Sequence, residues 1–185
     1  MNEILQAAVE VNQAFRSMGH PYCIIGGLAL QRWGEPRMTI DIDVTVFSGF
    51  GNESAVVEQL LERFPARIED VVSFAQQNRI ALLKTADGVG IDVSLGALPF
   101  EERVMERSSV WTIPEYGDIR TCSAEDLVVL KAFASRPQDW IDVENVIIRQ
   151  GSKLDRNLIL KELQPLVELK EEPKILDRLN ALFSV

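Results

Sequence analysis

Cysteine and histidine are scarce in this chain. Its 185 residues include 2 cysteines, Cys23 and Cys122, and 1 histidine, His20. A zinc centre gathers about four nitrogen, sulfur or oxygen ligands in one place, and donors this few and this far apart argue against one. With no export signal in view, the cysteines read as free, buried thiols rather than a disulfide. His20 follows the first helical stretch and reads as a surface loop residue. No apolar run approaches the ~20 residues that span a bilayer, and Met1–Glu10 shows no basic stretch leading into an apolar one. The expected compartment is the cytoplasm, with no membrane contact. Positive charge is in deficit as well: 19 Lys and Arg against 28 Asp and Glu give a net charge of −9. Such a surface repels a polyanion and disfavours indiscriminate nucleic-acid binding. It leaves room for a local basic patch or a nucleotide held through metal ions; a small substrate or a protein partner is the easier expectation.

What is present suits one compact domain, or slightly more. The hydrophobic fraction of 46% allows a core without disulfides. Ile4, Leu5, Ala8, Val11, Phe15 and Met18 form one stripe, which predicts a helix over 3–18 ended by Gly19. A short strand is expected at 21–25, helical turns at 28–33, a strand at 39–46 and a helix at 53–64. Two strand-like runs, 79–86 and 89–95, flank Asp87-Gly88, a strong hairpin signal. A weaker strand pair falls within 108–121. After Cys122 the pattern turns helical: 124–135, 138–150, 155–169 and 174–183, with Ser123 and Asp126 spaced as a variant capping box. Strands first and helices second predict an α+β fold. A sheet domain would cover 1–122, with a helical C-terminal part, 123–185, packed on it.

The chemistry centres on the strand Thr39–Val46. Alternation puts Ile40, Ile42, Val44 and Val46 on one face and Thr39, Asp41, Asp43 and Thr45 on the other. Two carboxylates side by side repel unless a cation lies between them. Magnesium, a hard ion that prefers oxygen and keeps waters for phosphates, meets that need. An edge strand with a solvated face would show the same alternation, but aspartate is depleted in strands. On the second strand Val89, Ile91, Val93 and Leu95 share a face, and Asp92 stands opposite, flanked by Gly90 and Ser94. A third carboxylate on a neighbouring strand suits a two-metal phosphoryl-transfer site, where Asp92 could also take the acceptor's proton. The alternative for Asp92 is a surface residue close to a turn. Gly26 and Gly27 lie between a strand and a helix, where missing Cβ atoms and a helix N-terminus admit a phosphate; alone they would indicate only a tight turn.

Gly26-Gly27-Leu28-Ala29, followed by Arg37, Thr39, Asp41 and Asp43, resembles the signature of the DNA polymerase beta-like nucleotidyltransferases. Within that superfamily it is most similar to the abortive-infection (AbiEii-like) toxins and to the small aminoglycoside and lincosamide nucleotidyltransferases. The resemblance covers roughly residues 20 to 145. It implies a mixed sheet packed by helices, with Asp41, Asp43 and Asp92 as catalytic and metal-binding residues. It further implies two magnesium ions, a nucleoside triphosphate donor, and a hydroxyl acceptor that is a small molecule, an RNA end or a protein. The toxin branch implies an antitoxin partner; a silent nucleotidyltransferase-like binding protein is the non-enzymatic alternative. Many members carry Ser where this chain has Gly27, which removes a hydroxyl from the phosphate site.

In the helical part Lys131 is the sole charge in the apolar run Leu127–Ala134, and a lysine there needs water, a carboxylate or a ligand. The resemblance assigns it to nucleotide phosphates, beside Gly26, Gly27, Arg37 and Thr39, with snorkelling as the alternative. Arg37 could grip a phosphate bidentately or pair with a nearby acid such as Glu35. Arg136, Asp139 and Asp142 are accessory candidates. The two aspartates, at i and i+3, share a helix face and would equally complement the dipole of a first turn.

Overall fold

The computed structural model describes residues 3–184, which form two compact units. The first comprises residues up to Leu28 together with Met38–Cys122, and the second comprises Ala29–Arg37 with the chain from Ser123 onward. The first unit ends at Cys122. Ala29–Arg37, however, groups with the helices although it sits between the glycine motif and the Asp-x-Asp strand.

The first unit is built on a six-stranded sheet. Along the chain run α1 (Glu3–Met18), β1 (Tyr22–Ile24), the start of α2 (Gly26–Trp33), β2 (Asp41–Phe47), α3 (Glu53–Leu61), α4 (Val71–Asn78), β3 (Ile80–Lys84), β4 (Gly90–Gly96), α5 (Pro99–Arg107), β5 (Ser109–Ile113) and β6 (Gly117–Thr121). The strand order is β3-β4-β2-β1-β6-β5. β2 pairs with β4 in parallel and with β1 antiparallel, so β2 lies inside the sheet rather than at its edge. Ile42, Val44 and Val46 of β2 and Ile91, Val93 and Leu95 of β4 are all 2% exposed or less. They share a core with Val11 and Phe15 of α1 and with Val56, Val57 and Leu60 of α3. Burying this one face fixes the pleat, because a one-residue slip would turn every apolar side chain outward. Asn12 locks α1 to the sheet: its amide donates to the Asp118 carbonyl (3.0 Å), and its Oδ1 accepts from the Tyr22 hydroxyl (2.8 Å) and the Arg120 amide (2.9 Å).

Three local expectations are revised. Ile40, expected on the apolar face, is 74% exposed, and the strand begins at Asp41. The pairing explains this: β4 starts at Gly90, opposite Asp41, so Ile40 lies past the end of the ladder. α4 and α5 lie in segments where no helix was expected. Asp70 caps α4 by accepting from the Ser73 amide (3.4 Å), and Pro99 opens α5.

The second unit contains the rest of α2 and four further helices: α6 (Ala124–Ala134), α7 (Pro137–Gln150), α8 (Arg156–Lys170) and α9 (Lys174–Phe183). α6 is almost wholly apolar, and Leu127, Val128, Val129 and Ala132 are at most 1% exposed. Ser123 caps it, accepting from the Asp126 amide (3.1 Å) and donating to the Asp126 carboxylate (2.9 Å). The segment after α2 is fastened to α7: the Gln150 amide donates to the Trp33 carbonyl (2.6 Å), and Arg149 donates to the Gly34 carbonyl. Gly34 itself permits the approach, since a Cβ there would lie 2.9 Å from a Val146 methyl. Both cysteines are buried thiols outside any disulfide among the described residues. Among the described residues no helix is long and apolar enough to cross a membrane.

Candidate active site

Two groups of polar residues carry the sequence candidates, one in each unit.

In the sheet unit, parallel register sets Asp43 directly opposite Asp92 and Asp41 opposite Gly90. Neighbouring strands are about 4.8 Å apart, so two carboxylates stand abreast and the third stands two residues along β2 on the same face. The Asp41 and Asp92 side chains are 40% and 38% exposed. Behind them the sheet is closed and apolar. The platform is therefore rigid underneath and open above.

Three glycines make the close packing of this face feasible, each against a different polar residue. A Cβ on Gly26 would fall 1.9 Å from Asp43 Oδ2, and one on Gly90 would fall 2.2 Å from Asp41 Oδ1. A Cβ on Gly27 would fall 2.6 Å from Thr39 Oγ1, whose hydroxyl donates to the Asp41 carbonyl (3.1 Å). Gly26 is doubly constrained, because its φ of +58° lies in the left-handed region that side chains rarely adopt. Gly27 is the second residue of α2. Its departure from Ser has a steric reason here: Thr39 occupies the space a serine side chain would need.

Arg67 joins this face and was not among the sequence candidates. Its guanidinium donates to Asp92 Oδ1 and lies 3.8 Å from Asp41 Oδ1. No sequence signal marks it. It belongs to an irregular segment, and its partners are 25 and 26 positions away in the chain.

In the helical unit, Lys131 of α6 is 6% exposed, and its ammonium donates to Asp142 Oδ2 (2.6 Å) and Asp139 Oδ1 (3.4 Å). Asp142 also accepts from Arg37 Nε (3.1 Å) and Nη2 (3.1 Å) and from the Gln138 amide (3.2 Å). Asp139 accepts from Arg136 Nε (2.6 Å) and from the Arg136 backbone amide (3.3 Å), the dipole-type contact of a first helical turn. Both carboxylates are at most 2% exposed. Burial pushes the Asp142 carboxyl up, but hydrogen bonds from Arg37, Lys131 and Gln138, with the charge of Lys131, outweigh it and leave the group below its ordinary value. Lys131, Arg37 and Arg136 thus converge on the two buried carboxylates. The outer cations, Arg37 and Arg136, have side chains 39% and 75% exposed.

The donor set of the first group suits a hard divalent ion: three carboxylates on one face, in space kept free by glycine. Among the described residues no three carboxylate, imidazole or thiol groups already converge as an ion shell. Arg67 stands between Asp41 and Asp92 instead. A position that accommodates a guanidinium between two carboxylates is electrostatically a cation position.

The mixed sheet aligns an Asp-x-Asp strand with a third carboxylate and is entered through a glycine turn, the arrangement that the resemblance to nucleotidyltransferases implies. The family model for the nucleotidyl transferase AbiEii toxin of type IV toxin–antitoxin systems matches residues 17–181. The chain belongs to that family and is an enzyme of nucleotidyltransferase type. No curated relative matches it. The fold is similar to the antibiotic-resistance factor ANT(2″)-Ia in solution (14% identity, 93% of this chain and 95% of that one, TM-score 0.58). It is also similar to an antigenic nucleotidyltransferase-like protein from Paracoccidioides brasiliensis (16% identity, 97% and 94% covered, TM-score 0.55).

Proposed function

We propose that the protein transfers a nucleoside monophosphate from a magnesium-bound nucleoside triphosphate to a hydroxyl acceptor in the cytoplasm, as the toxin of a toxin–antitoxin pair. The observation that carries this reading is the parallel register that sets Asp43 beside Asp92, with Asp41 on the same face. The family match supports it. Asp41, Asp43 and Asp92 would hold the ions, which supply positive charge to the phosphates and lower the barrier to their displacement. The amides at the start of α2, uncovered by Gly26 and Gly27, would bind triphosphate oxygens. Thr39, beside Gly27, would join them in binding the nucleotide. Asp92, where the solvent-facing carboxylate meets an incoming hydroxyl, would accept its proton. The acceptor oxygen forms a bond to the α-phosphorus, the bond from that phosphorus to the β-bridging oxygen breaks, and pyrophosphate leaves.

In the helical unit Lys131 is paired with Asp139 and Asp142, which supports an ion-pairing role for it over direct phosphate contact. The net charge of −9 favours a small or protein acceptor over a long nucleic acid. A small polyol acceptor, as in antibiotic modification, is consistent with that charge.

The test is thermal unfolding with each of the four nucleoside triphosphates, with and without magnesium, for wild type and Asp43→Asn. A ligand confined to the native state at 100 times its Kd adds about 2.7 kcal/mol. A magnesium-dependent rise with one nucleotide, absent in the variant, is expected, together with release of labelled pyrophosphate and growth arrest on expression. An Asp43→Asn protein with full turnover would refute the assignment.

A further inference from the structure

Arg67 has a geometry that the carboxylate motif does not explain. Pro65–Arg67 runs along the outer edge of β3: the Lys84 amide donates to the Pro65 carbonyl (3.0 Å), and the Arg67 amide donates to the Leu82 carbonyl (2.8 Å). A single antiparallel bridge, Ala66 to Leu83, fixes the register. Arg67 therefore lies in line with Leu82, which is opposite Asp92, which is opposite Asp43. The side chain passes over β3 and ends between Asp92 and Asp41. Gly90 leaves the room for it, since a Cβ at that position would lie 2.9 Å from Arg67 Nη1.

We infer that Arg67 is a built-in countercharge that occupies the cation position on Asp41 and Asp92, so that divalent ions must displace it to bind. The inference rests on the metal-dependent reading above. Three carboxylates on one face repel when no cation is present, and a guanidinium between two of them relieves that repulsion. Arginine stays charged at any physiological pH, so proton loss cannot clear the site; a competing cation can. The side chain is 29% exposed, and its anchor is the backbone of the Pro65–Arg67 edge, so it can leave for solvent while that edge stays paired. The affinity for ions is then lower than three carboxylates alone would give, and the sheet does not need an ion to remain folded. Arg67 acts on the site by competition, as a positioning residue rather than a catalytic one.

The experiment measures Mn2+ binding to the full chain without nucleotide, by electron paramagnetic resonance, for wild type, Arg67→Met, Arg67→Lys and Asp43→Asn. The ion pairs are partly exposed and individually modest, so removing them should tighten the ion by about tenfold. Arg67→Met should also unfold at lower temperature than wild type in chelator and recover with saturating Mn2+. Arg67→Lys, which keeps a charge but not the fork, should lie between. Wild-type affinity in Arg67→Met, with binding lost only in Asp43→Asn, would overturn the countercharge role while leaving the proposed function intact. No binding in any of the proteins would overturn both.

Discussion

Replacing Lys131 by Met tests whether the helical unit depends on its buried ion network. The ammonium is 7% exposed at the side chain and bridges carboxylates whose side chains are 3% and 1% exposed. Removing one partner of a buried ion pair costs about 3–5 kcal/mol, because it strands the other charge. Here the stranding is incomplete. Asp142 keeps Arg37 and Gln138, and Asp139 keeps Arg136. Methionine also fills most of the volume that the lysine stem leaves. The expected loss is therefore about 2–3 kcal/mol, below that range. In a chain of this size each kcal/mol lowers the midpoint by about 2–4 °C, so a fall of roughly 5–10 °C is expected. Trp140, 3% exposed on α7, reports on this unit by fluorescence. A double-mutant cycle with Asp142→Asn should show a coupling of about 1–2 kcal/mol, since neutralising Asp142 removes part of what Lys131 compensates. Unchanged stability in Lys131→Met, with nucleotide binding lost, would refute this account and return the lysine to direct phosphate contact.

Three further outcomes are expected, two in the sheet unit and one in the helical unit. Gly90→Ala adds no positive-φ strain, and restricting the unfolded chain offsets part of the crowding, so stability should change by no more than about 1 kcal/mol, while Mn2+ binding weakens as Asp41 is pushed aside. Gly26→Ala adds left-handed strain of about 1–2 kcal/mol and a Cβ overlapping Asp43, so isothermal titration should show magnesium-nucleotide binding abolished in a destabilised protein. The Asp142 carboxyl is held below its ordinary value in the folded state. Its stabilising contribution is thus complete above the unfolded value of about 3.9 and is lost as pH falls through the lower folded value. Urea titrations should show Asp142→Asn less stable than wild type at pH 7, with the gap narrowing below about pH 4; a gap that stays constant would contradict this.

Much of the carboxylate face was legible because a strand's period of two leaves little choice. Once Ile42, Val44 and Val46 are buried, Asp41 and Asp43 must share the other face. Asp87-Gly88 announced the turn that brings β4 back along β3, and the helices after Ser123 carried long apolar patterns and a cap. Pairing between distant strands is a different matter. Nothing local states that β4 lies parallel to β2, or where that ladder stops, so Ile40 was expected inside and lies outside. The same gap hid Arg67, whose position depends on one bridge to β3 and whose duty depends on residues from two other strands. α4 and α5 are only 8 and 9 residues long, too short for periodicity to stand out. The roles of Lys131, Asp139 and Asp142 needed the helix packing, since spacing alone could not distinguish dipole complement from ion pair.

The grouping of Ala29–Arg37 with the helices bears on how such a protein can be recombined. A fragment ended at residue 122 would keep this excursion but lose the Arg149 and Gln150 donors that hold it at Gly34 and Trp33. A chimaera that takes its helices from a relative would have to import the excursion as well. The linker between glycine turn and aspartate strand is thus held by the helical unit, although both motifs that it joins belong to the sheet unit.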